Sequence, residues 1–366
     1  MTSDRIRIGV IGLEFGARVH IPAFQSEGME VAAVCARHEE KAREVANQYG
    51  VRDVFTDYQE MVRMGDIQAV SVAGPVALHH KMTMAALEAG KHVLCEKPFT
   101  TDQGLAKEMW KKAEGAGLTA MIAHEFRFAS ARRRVKQLLE VGYLGPLHMA
   151  LMRLVSGPVS GFQARPLTDR DDATLGNGFI WGLGSHYIDC LRDWFGEIET
   201  VWGHLDTHFG ERIHPDTAEI VQATADDTFH FVLRFVEGGW AAMTGTTAAR
   251  FGPGGGVELY GRDGALVTPH EGRGFNPPAH GTLLGAKTGE EKLIELPIPD
   301  HLEPFSDDRD DRLMPFRLLV REFLRGIKEG SSPSPNFYDG FRCQQVIDAV
   351  RLAAATGQLI HIGEGG

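Results

Sequence analysis

Between Ile6 and about Ala123 the chain keeps switching hydrophobic period, with short apolar runs rich in β-branched residues and alanine alternating with amphipathic stretches of helical spacing. That alternation marks βαβ units, whose parallel strands must be joined through crossover helices. The runs Ile6–Ile11, Glu30–Cys35, Ala69–Ala73, His92–Leu94 and Thr119–Ala123 are expected as strands, and Glu39–Tyr49, His80–Ala89 and Asp102–Gly115 as helices. Residues 1–125 therefore predict an α/β domain with a parallel, doubly wound sheet.

From Pro146 the texture changes. Leu147–Val155, Thr200–Leu205, Thr228–Val236, Gly239–Thr247 and Val257–Tyr260 are strand-like and separated by Gly- and Pro-rich turns, with one helix at Ser185–Phe195. This predicts an α+β domain over 126–338 with a large open, mostly antiparallel sheet. Two helices close the chain, Met314–Gly330 and Asp339–Ala355, and the segment 339–366 is expected to pack back toward the first domain. A length of 366 residues suits two domains, each able to bury its own core. The stretch Glu271–Gly289 reads as a turn-rich loop that could serve as a lid, and Asp307–Arg312 as a charge cluster on a solvated face.

Lys and Arg total 38 against 49 Asp and Glu, a net charge of −11, and no long basic run offers a track for phosphate backbones, so no nucleic-acid partner is expected. The four cysteines, Cys35, Cys95, Cys190 and Cys343, lie far apart without metal-ligand spacing, which fits reduced thiols in a cytoplasm and no metal site. Met1–Arg5 runs straight into a strand, and no apolar stretch approaches membrane-spanning length, so a cytoplasmic protein without membrane contact is expected.

In an open α/β sheet, ligands sit beyond the carboxyl ends of the strands. The first strand delivers the chain into Gly12-Leu13-Glu14-Phe15-Gly16-Ala17, which aligns with the dinucleotide fingerprint at Gly12, position 14 and Ala17. Glu14 replaces the middle glycine, and a carboxylate there repels a pyrophosphate unless it points to solvent; Gly16 partly restores the tight path. At the end of the second strand, Arg37-His38 stands where an NAD site would carry an acidic residue. A guanidinium fork matches a 2′-phosphate, so NADP(H) is favoured with NAD(H) as the alternative, against a solvent-facing arginine that merely opens the next helix. Cys95-Glu96-Lys97-Pro98 then follows an apolar strand and places a lysine where a nicotinamide would lie.

Taken in order, Gly9-Val10-Ile11-Gly12, His20-Ile21-Pro22-Ala23, His79, Ala89 to Val93, Glu96-Lys97-Pro98, Phe126-Arg127-Phe128, Gly142 to Gly145 and Gly184 to Asp189 make the chain resemble the Gfo/Idh/MocA oxidoreductases over nearly its whole length. The resemblance implies a Rossmann domain followed by a domain whose open sheet builds homodimers or homotetramers, and chemistry on a sugar, cyclitol or related polyol. It also implies that Lys97 touches the reacting hydroxyl, that His186 acts as acid/base, and that Glu96 lines the cofactor region. Two departures stand out: Gly182 occupies a place that commonly carries Asp four residues before the histidine, and Gly74 replaces a Thr often found before Pro75.

Oxidising a carbinol requires a base for the hydroxyl proton and alignment of its hydrogen with the nicotinamide. A lysine ammonium is disfavoured beside an oxidised ring, whereas histidine titrates near neutrality. His186 is therefore expected to move the proton and Lys97 to orient and polarise the oxygen, the two converging on one oxygen from separate domains. Gly74, Pro75, His79 and Glu96 are expected along the cofactor, and Arg127, Trp181 and Asp189 on the substrate side. Each has a plainer reading: His79 as a local cap, Arg127 and Asp189 as ion-pair partners, His186 as a structural helix-start residue. Trp181 would fill the space left at Gly182. Two further functions compete with a dehydrogenase or reductase: redox-neutral, oxidation-assisted elimination or glycoside cleavage with a retained cofactor, and a non-catalytic sensor of cofactor or sugar.

Overall fold

The computed structural model describes residues 5–160, 162–269 and 274–363. They form two compact units, Met1–Glu125 with Asp307–Gln344, and Phe126–Ser306 with Gln345–Gly366.

In the first unit the sheet contains β1 (Arg7–Ile11), β2 (Glu30–Cys35), β3 (Asp53–Phe55), β4 (Ala69–Val72), β5 (His92–Cys95) and β6 (Ala120–Ile122). Every pairing is parallel, in the order β3-β2-β1-β4-β5-β6. Strand β4 is buried at all four positions and β1 at four of five, as expected of strands covered on both faces. The order reverses at β1, so β1 and β4 flank the switch point at which such sheets bind ligands. The crossover helices are α1 (Ile21–Ser26), α2 (Glu39–Tyr49), α3 (Tyr58–Val62), α4 (Val76–Glu88) and α5 (Gln103–Ala116). Asp102 caps α5 by accepting from Leu105 N at 3.0 Å, and left-handed glycines end α2 and α5. α4 starts at Val76, earlier than the expected His80, because Pro75 at φ −62° already sets the first turn. β3, too short to show a period, was not expected.

The second unit opens with α6 (Ser130–Glu140), β7 (Leu147–Val155), β8 (Arg165–Pro166), α7 (Ser185–Phe195), β9 (Ile198–Asp206), β10 (Glu211–Ile213) and β11 (Ile220–Gln222). It continues with β12 (Thr228–Phe235), β13 (Trp240–Thr246), β14 (Gly254–Gly261), β15 (Gly264–Pro269), β16 (Leu284–Lys287) and β17 (Ile294–Glu295). After α8 (Leu313–Glu329) and α9 (Phe337–Thr356), β18 (Ile360–His361) completes a nine-stranded sheet in the order β17-β16-β15-β14-β7-β13-β12-β9-β18. Only β7 and β13 pair in parallel within it. β12 alternates cleanly: Phe229, Phe231, Leu233 and Phe235 face inward, where Phe179 and Phe195 pack on Phe229 and Phe235 at 5.3 and 5.4 Å between ring centres. Part of the expected lid is sheet instead, since Leu284–Lys287 pairs antiparallel with β15; Glu271, Gly272 and Arg273 lie outside the described residues.

The chain re-enters the first unit at Asp307, ahead of 339, and leaves it after Gln344. Glu27, at the end of α1, holds Arg317 and Arg321 of α8 at 2.7 and 2.6 Å. Within the Asp307–Arg312 cluster, Asp308, Arg309 and Asp311 are exposed as a solvated face requires, whereas the Asp307 side chain is nearly buried and pairs with Arg309 and Arg317 at 2.5 and 2.9 Å. Among the described residues no helix is long and apolar enough to cross a membrane, and no cluster of three or more His, Cys, Asp or Glu side chains could hold a metal. All four cysteines are buried and present as thiols.

Candidate active site

The turn after β1 is built around Gly12, whose φ of +91° suits only glycine. A Cβ there would lie 2.3 Å from the Ala73 carbonyl oxygen, because the turn presses against the end of β4. Gly16 opens a five-residue π-turn, Gly16–His20, that runs directly into α1. Glu14 is exposed, so the carboxylate that replaces the fingerprint glycine stands in solvent rather than in the tight part of the turn, while Phe15 and Ala17 are partly buried. Backbone N–H groups at such a helical start suit a pyrophosphate. The residues present thus fit a dinucleotide despite the missing glycine. Arg37 and His38 are exposed where β2 runs into α2, and Arg37 pairs with no carboxylate among the described residues.

Beyond β4 and β5 a buried polar chain assembles. His20 Nε2 donates to Glu96 Oε1 at 2.9 Å, and His20 Nδ1 lies 2.7 Å from Ser71 Oγ on β4. Glu96 Oε2 accepts from the Lys97 backbone N–H at 3.1 Å. Burial pushes the Glu96 pKa up, but the His20 hydrogen bond and the Lys97 ammonium outweigh it and hold it below the usual value. The Lys97 pKa is pushed down by burial, against the attraction of Glu96 and Glu125. His79 is buried in α4 rather than at its start, with Nδ1 2.9 Å from the Pro98 carbonyl oxygen and Nε2 2.8 Å from that of Gly74. It ties the turn after β4 to the turn that carries Lys97; burial lowers its pKa. A glycine suits position 74, since a Cβ there would meet Met82 Sδ at 3.2 Å, and Pro75 begins α4 beside it.

Glu125 and Arg312 were missed from sequence. Glu125 is fully buried just past β6, and Ala123 N donates to Cys95 O at 2.8 Å, so the ends of β5 and β6 carry Lys97 and Glu125 side by side. Burial and the repulsion of Glu96 push the Glu125 pKa up to about 7. Arg312 stands over the Phe15 ring at 4.3 Å and adds its positive charge to the field at both Lys97 and Glu125. The signal for Glu125 was present, an acidic residue two positions beyond a strand end; Arg312 had none, since its place depends on the return of the chain.

In the second unit His186 is buried in the first turn of α7 and stacks on Phe126, 3.8 Å between ring centres and 8° from parallel. The helical run that carries it starts at Asp226, whose carboxylate accepts from Ile180 N and whose carbonyl accepts from Phe179 N, both at 2.9 Å. Gly178 allows this, because a Cβ there would meet Asp226 Oδ1 at 2.0 Å. Burial pushes the Asp226 pKa up to about 7. Arg127 and Asp189 are bound to each other: Nε and Nη2 donate to the two carboxylate oxygens at 2.5 and 2.6 Å, and Nη1 reaches Asp193 at 2.9 Å. Trp181 is buried with Arg351 5.3 Å over its ring. It does not fill the space at Gly182, where a Cβ would meet nothing within 4 Å.

Two family models match: "Oxidoreductase family, NAD-binding Rossmann fold" over residues 6–124, and "GFO/IDH/MocA C-terminal domain" over 132–267. The chain belongs to the Gfo/Idh/MocA oxidoreductases. An uncharacterised oxidoreductase of Synechocystis is 29% identical over 353 residues, covering 96% of this chain and 94% of the relative. The levoglucosan dehydrogenase of Pseudarthrobacter phenanthrenivorans is 25% identical over 410 residues, with 98% of each chain covered. A solved levoglucosan dehydrogenase in complex with NADH and levoglucosan shares the fold at a TM-score of 0.89 and 22% identity, covering 98% of this chain and 100% of that one.

Proposed function

We propose that this oxidoreductase is an NAD(P)-dependent dehydrogenase or reductase acting on a secondary alcohol, or the matching ketone, of a sugar, cyclitol or related polyol. The observation that carries the proposal is Lys97, placed beyond the carboxyl end of β5 with its charge set between Glu96 and Glu125, in the same sheet as the Gly12 turn. A bound nicotinamide dinucleotide supplies the hydride acceptor or donor at the substrate carbon. Gly12, Phe15, Gly16 and Ala17 would hold its pyrophosphate, with Glu14 turned to solvent, and Gly74, Pro75, His79 and Glu96 would flank it. The exposed, unclaimed Arg37 beside His38 supports NADP(H), while the structural relative carries NADH.

Lys97 donates to the carbinol or carbonyl oxygen and polarises it. Its lowered pKa lets it give up or share a proton more readily than a solvated lysine. His186, clamped against Phe126, takes the hydroxyl proton on oxidation and returns it on reduction. Arg127 and Asp189 shape the wall on which α7 stands and reach substrate only if their mutual pair opens. The levoglucosan dehydrogenase relative supports a sugar-like substrate. A homo-oligomer is proposed through the outward face of the nine-stranded sheet, where Trp202 and Trp240 stand exposed; sedimentation analysis checks it.

The test is to mix the purified protein with NADP⁺ or NAD⁺ and a panel of sugars, anhydrosugars and cyclitols and follow the absorbance of reduced nicotinamide. Reduction with at least one secondary alcohol is expected. Tight cofactor binding without turnover on any compound would overturn the proposal.

A further inference from the structure

Just before α8 the chain carries four aspartates, Asp307, Asp308, Asp310 and Asp311, yet the guanidinium of Arg312 takes none of them. Asp307 is engaged by Arg309 and Arg317, and Asp310 by Arg18 Nε at 3.2 Å and by the Arg312 backbone N–H at 2.9 Å. Asp308 and Asp311 are exposed. Among the described residues no hydrogen bond or ion pair reaches the Arg312 guanidinium, although the residue is partly buried. Arg7 and Arg317, also partly buried, hold carboxylates at 3.0 and 2.7 Å.

Arg312 stands instead over the Phe15 ring, 4.3 Å from its centre. Phe15 belongs to the turn after β1 and immediately precedes Gly16, the first residue of the π-turn that runs into α1. Phe316, one helical turn beyond Arg312, meets the same ring edge-on at 6.3 Å, so the start of α8 is packed onto this turn. The Arg312 charge is also felt at Lys97 and Glu125. All these residues belong to the first unit. A cation without a carboxylate is thus held at the carboxyl end of the parallel sheet, on the very turn that suits a pyrophosphate.

A phenyl ring offers no lone pair, so the guanidinium N–H donors remain for an acceptor. The turn itself is short of positive charge: a dinucleotide diphosphate is a dianion, and Glu14 adds a carboxylate where the fingerprint has glycine. We infer that Arg312 is a binding residue for the diphosphate, brought to the turn by the return of the chain, a role that rests on the dinucleotide-dependent function proposed above. A carboxylate on the substrate is the competing anion. The contact with Phe15, inside the phosphate turn, favours the diphosphate.

Equilibrium titration of the full chain with ADP-ribose, which has the diphosphate but neither nicotinamide nor reacting carbon, tests this without turnover. Arg312→Met should weaken ADP-ribose and NAD(H) by roughly 10–100-fold each. Arg312→Lys should lose less, because it keeps the charge without the fork. Wild-type affinity should also fall more steeply with added salt than that of Arg312→Met, which a merely structural role would not produce. Arg18→Met removes the same charge beside the same ring, 5.5 Å from its centre, but from an arginine already taken by Asp310; it should cost less than about 3-fold. Unchanged ADP-ribose affinity in Arg312→Met, equal losses in the two Met variants, or a defect confined to the substrate KM would overturn the inference. Tight ADP-ribose binding without turnover on any substrate would instead sink the dehydrogenase reading, so the two failures are told apart.

Discussion

Glu125→Gln removes one of the two buried carboxyls that stand beside Lys97, the other being Glu96, while keeping its shape. Glu125 is fully buried, and its pKa is pushed from 4.5 up to about 7. At about 1.4 kcal/mol per unit, this shift corresponds to about 3 kcal/mol. The sign follows from linkage: the folded state binds the proton more tightly than the unfolded chain, so the stabilisation is complete below pH 4.5 and is lost as pH rises through 7. The wild type should therefore lose about 3 kcal/mol relative to Glu125→Gln between pH 4.5 and 8. Asp226, also raised to about 7, is common to both proteins and cancels in the difference. Because the chain has two compact units, a global midpoint is a poor readout. Hydrogen exchange across a urea series, read on peptides covering β5 and β6, follows the affected unit alone. Difference curves that stay flat from pH 4.5 to 8 would refute the reasoning about Glu125.

Arg37→Ala should weaken NADP(H) by roughly 10–100-fold and leave NAD(H) nearly unchanged, since only the former has a phosphate to lose; equilibrium titration with both cofactors checks this. Gly12→Ala should destabilise the first unit by about 3 kcal/mol or more, because a Cβ at φ +91° meets the Ala73 carbonyl, and lose dinucleotide binding with it. Gly182→Ala meets nothing within 4 Å and should shift stability by no more than about 1 kcal/mol, as thermal unfolding would show.

The legibility of the chain followed the range of the interactions involved. β2, α2, β7 and α7 came out at their observed boundaries because each carries a full local period between clear breakers. β3, β16 and β17 did not, since two to four residues hold no period and only pairing partners make them strands. The same division runs through the site. Gly12 lies in the turn after a strand legible in the sequence and Lys97 just beyond another, and Glu14, which stands where the fingerprint has a glycine, is exposed. The His20–Glu96 bond, the Arg312 charge above Phe15 and the Asp226 cap on the His186 helix join segments far apart in sequence, so each needed the fold to become visible. Gly182 looked like a gap that Trp181 would fill, yet the indole turns into the core beneath Arg351 and leaves position 182 open.

The central claim is that Lys97 handles the substrate oxygen in a cofactor-loaded enzyme. Its most direct measurement compares wild type with Lys97→Met, using the substrate that the panel selects and following both reduced-nicotinamide formation and cofactor affinity. Lys97→Met should lower kcat by roughly 10²–10⁴-fold with cofactor affinity changed by less than about 10-fold. A variant that turns over at close to the wild-type rate would contradict it.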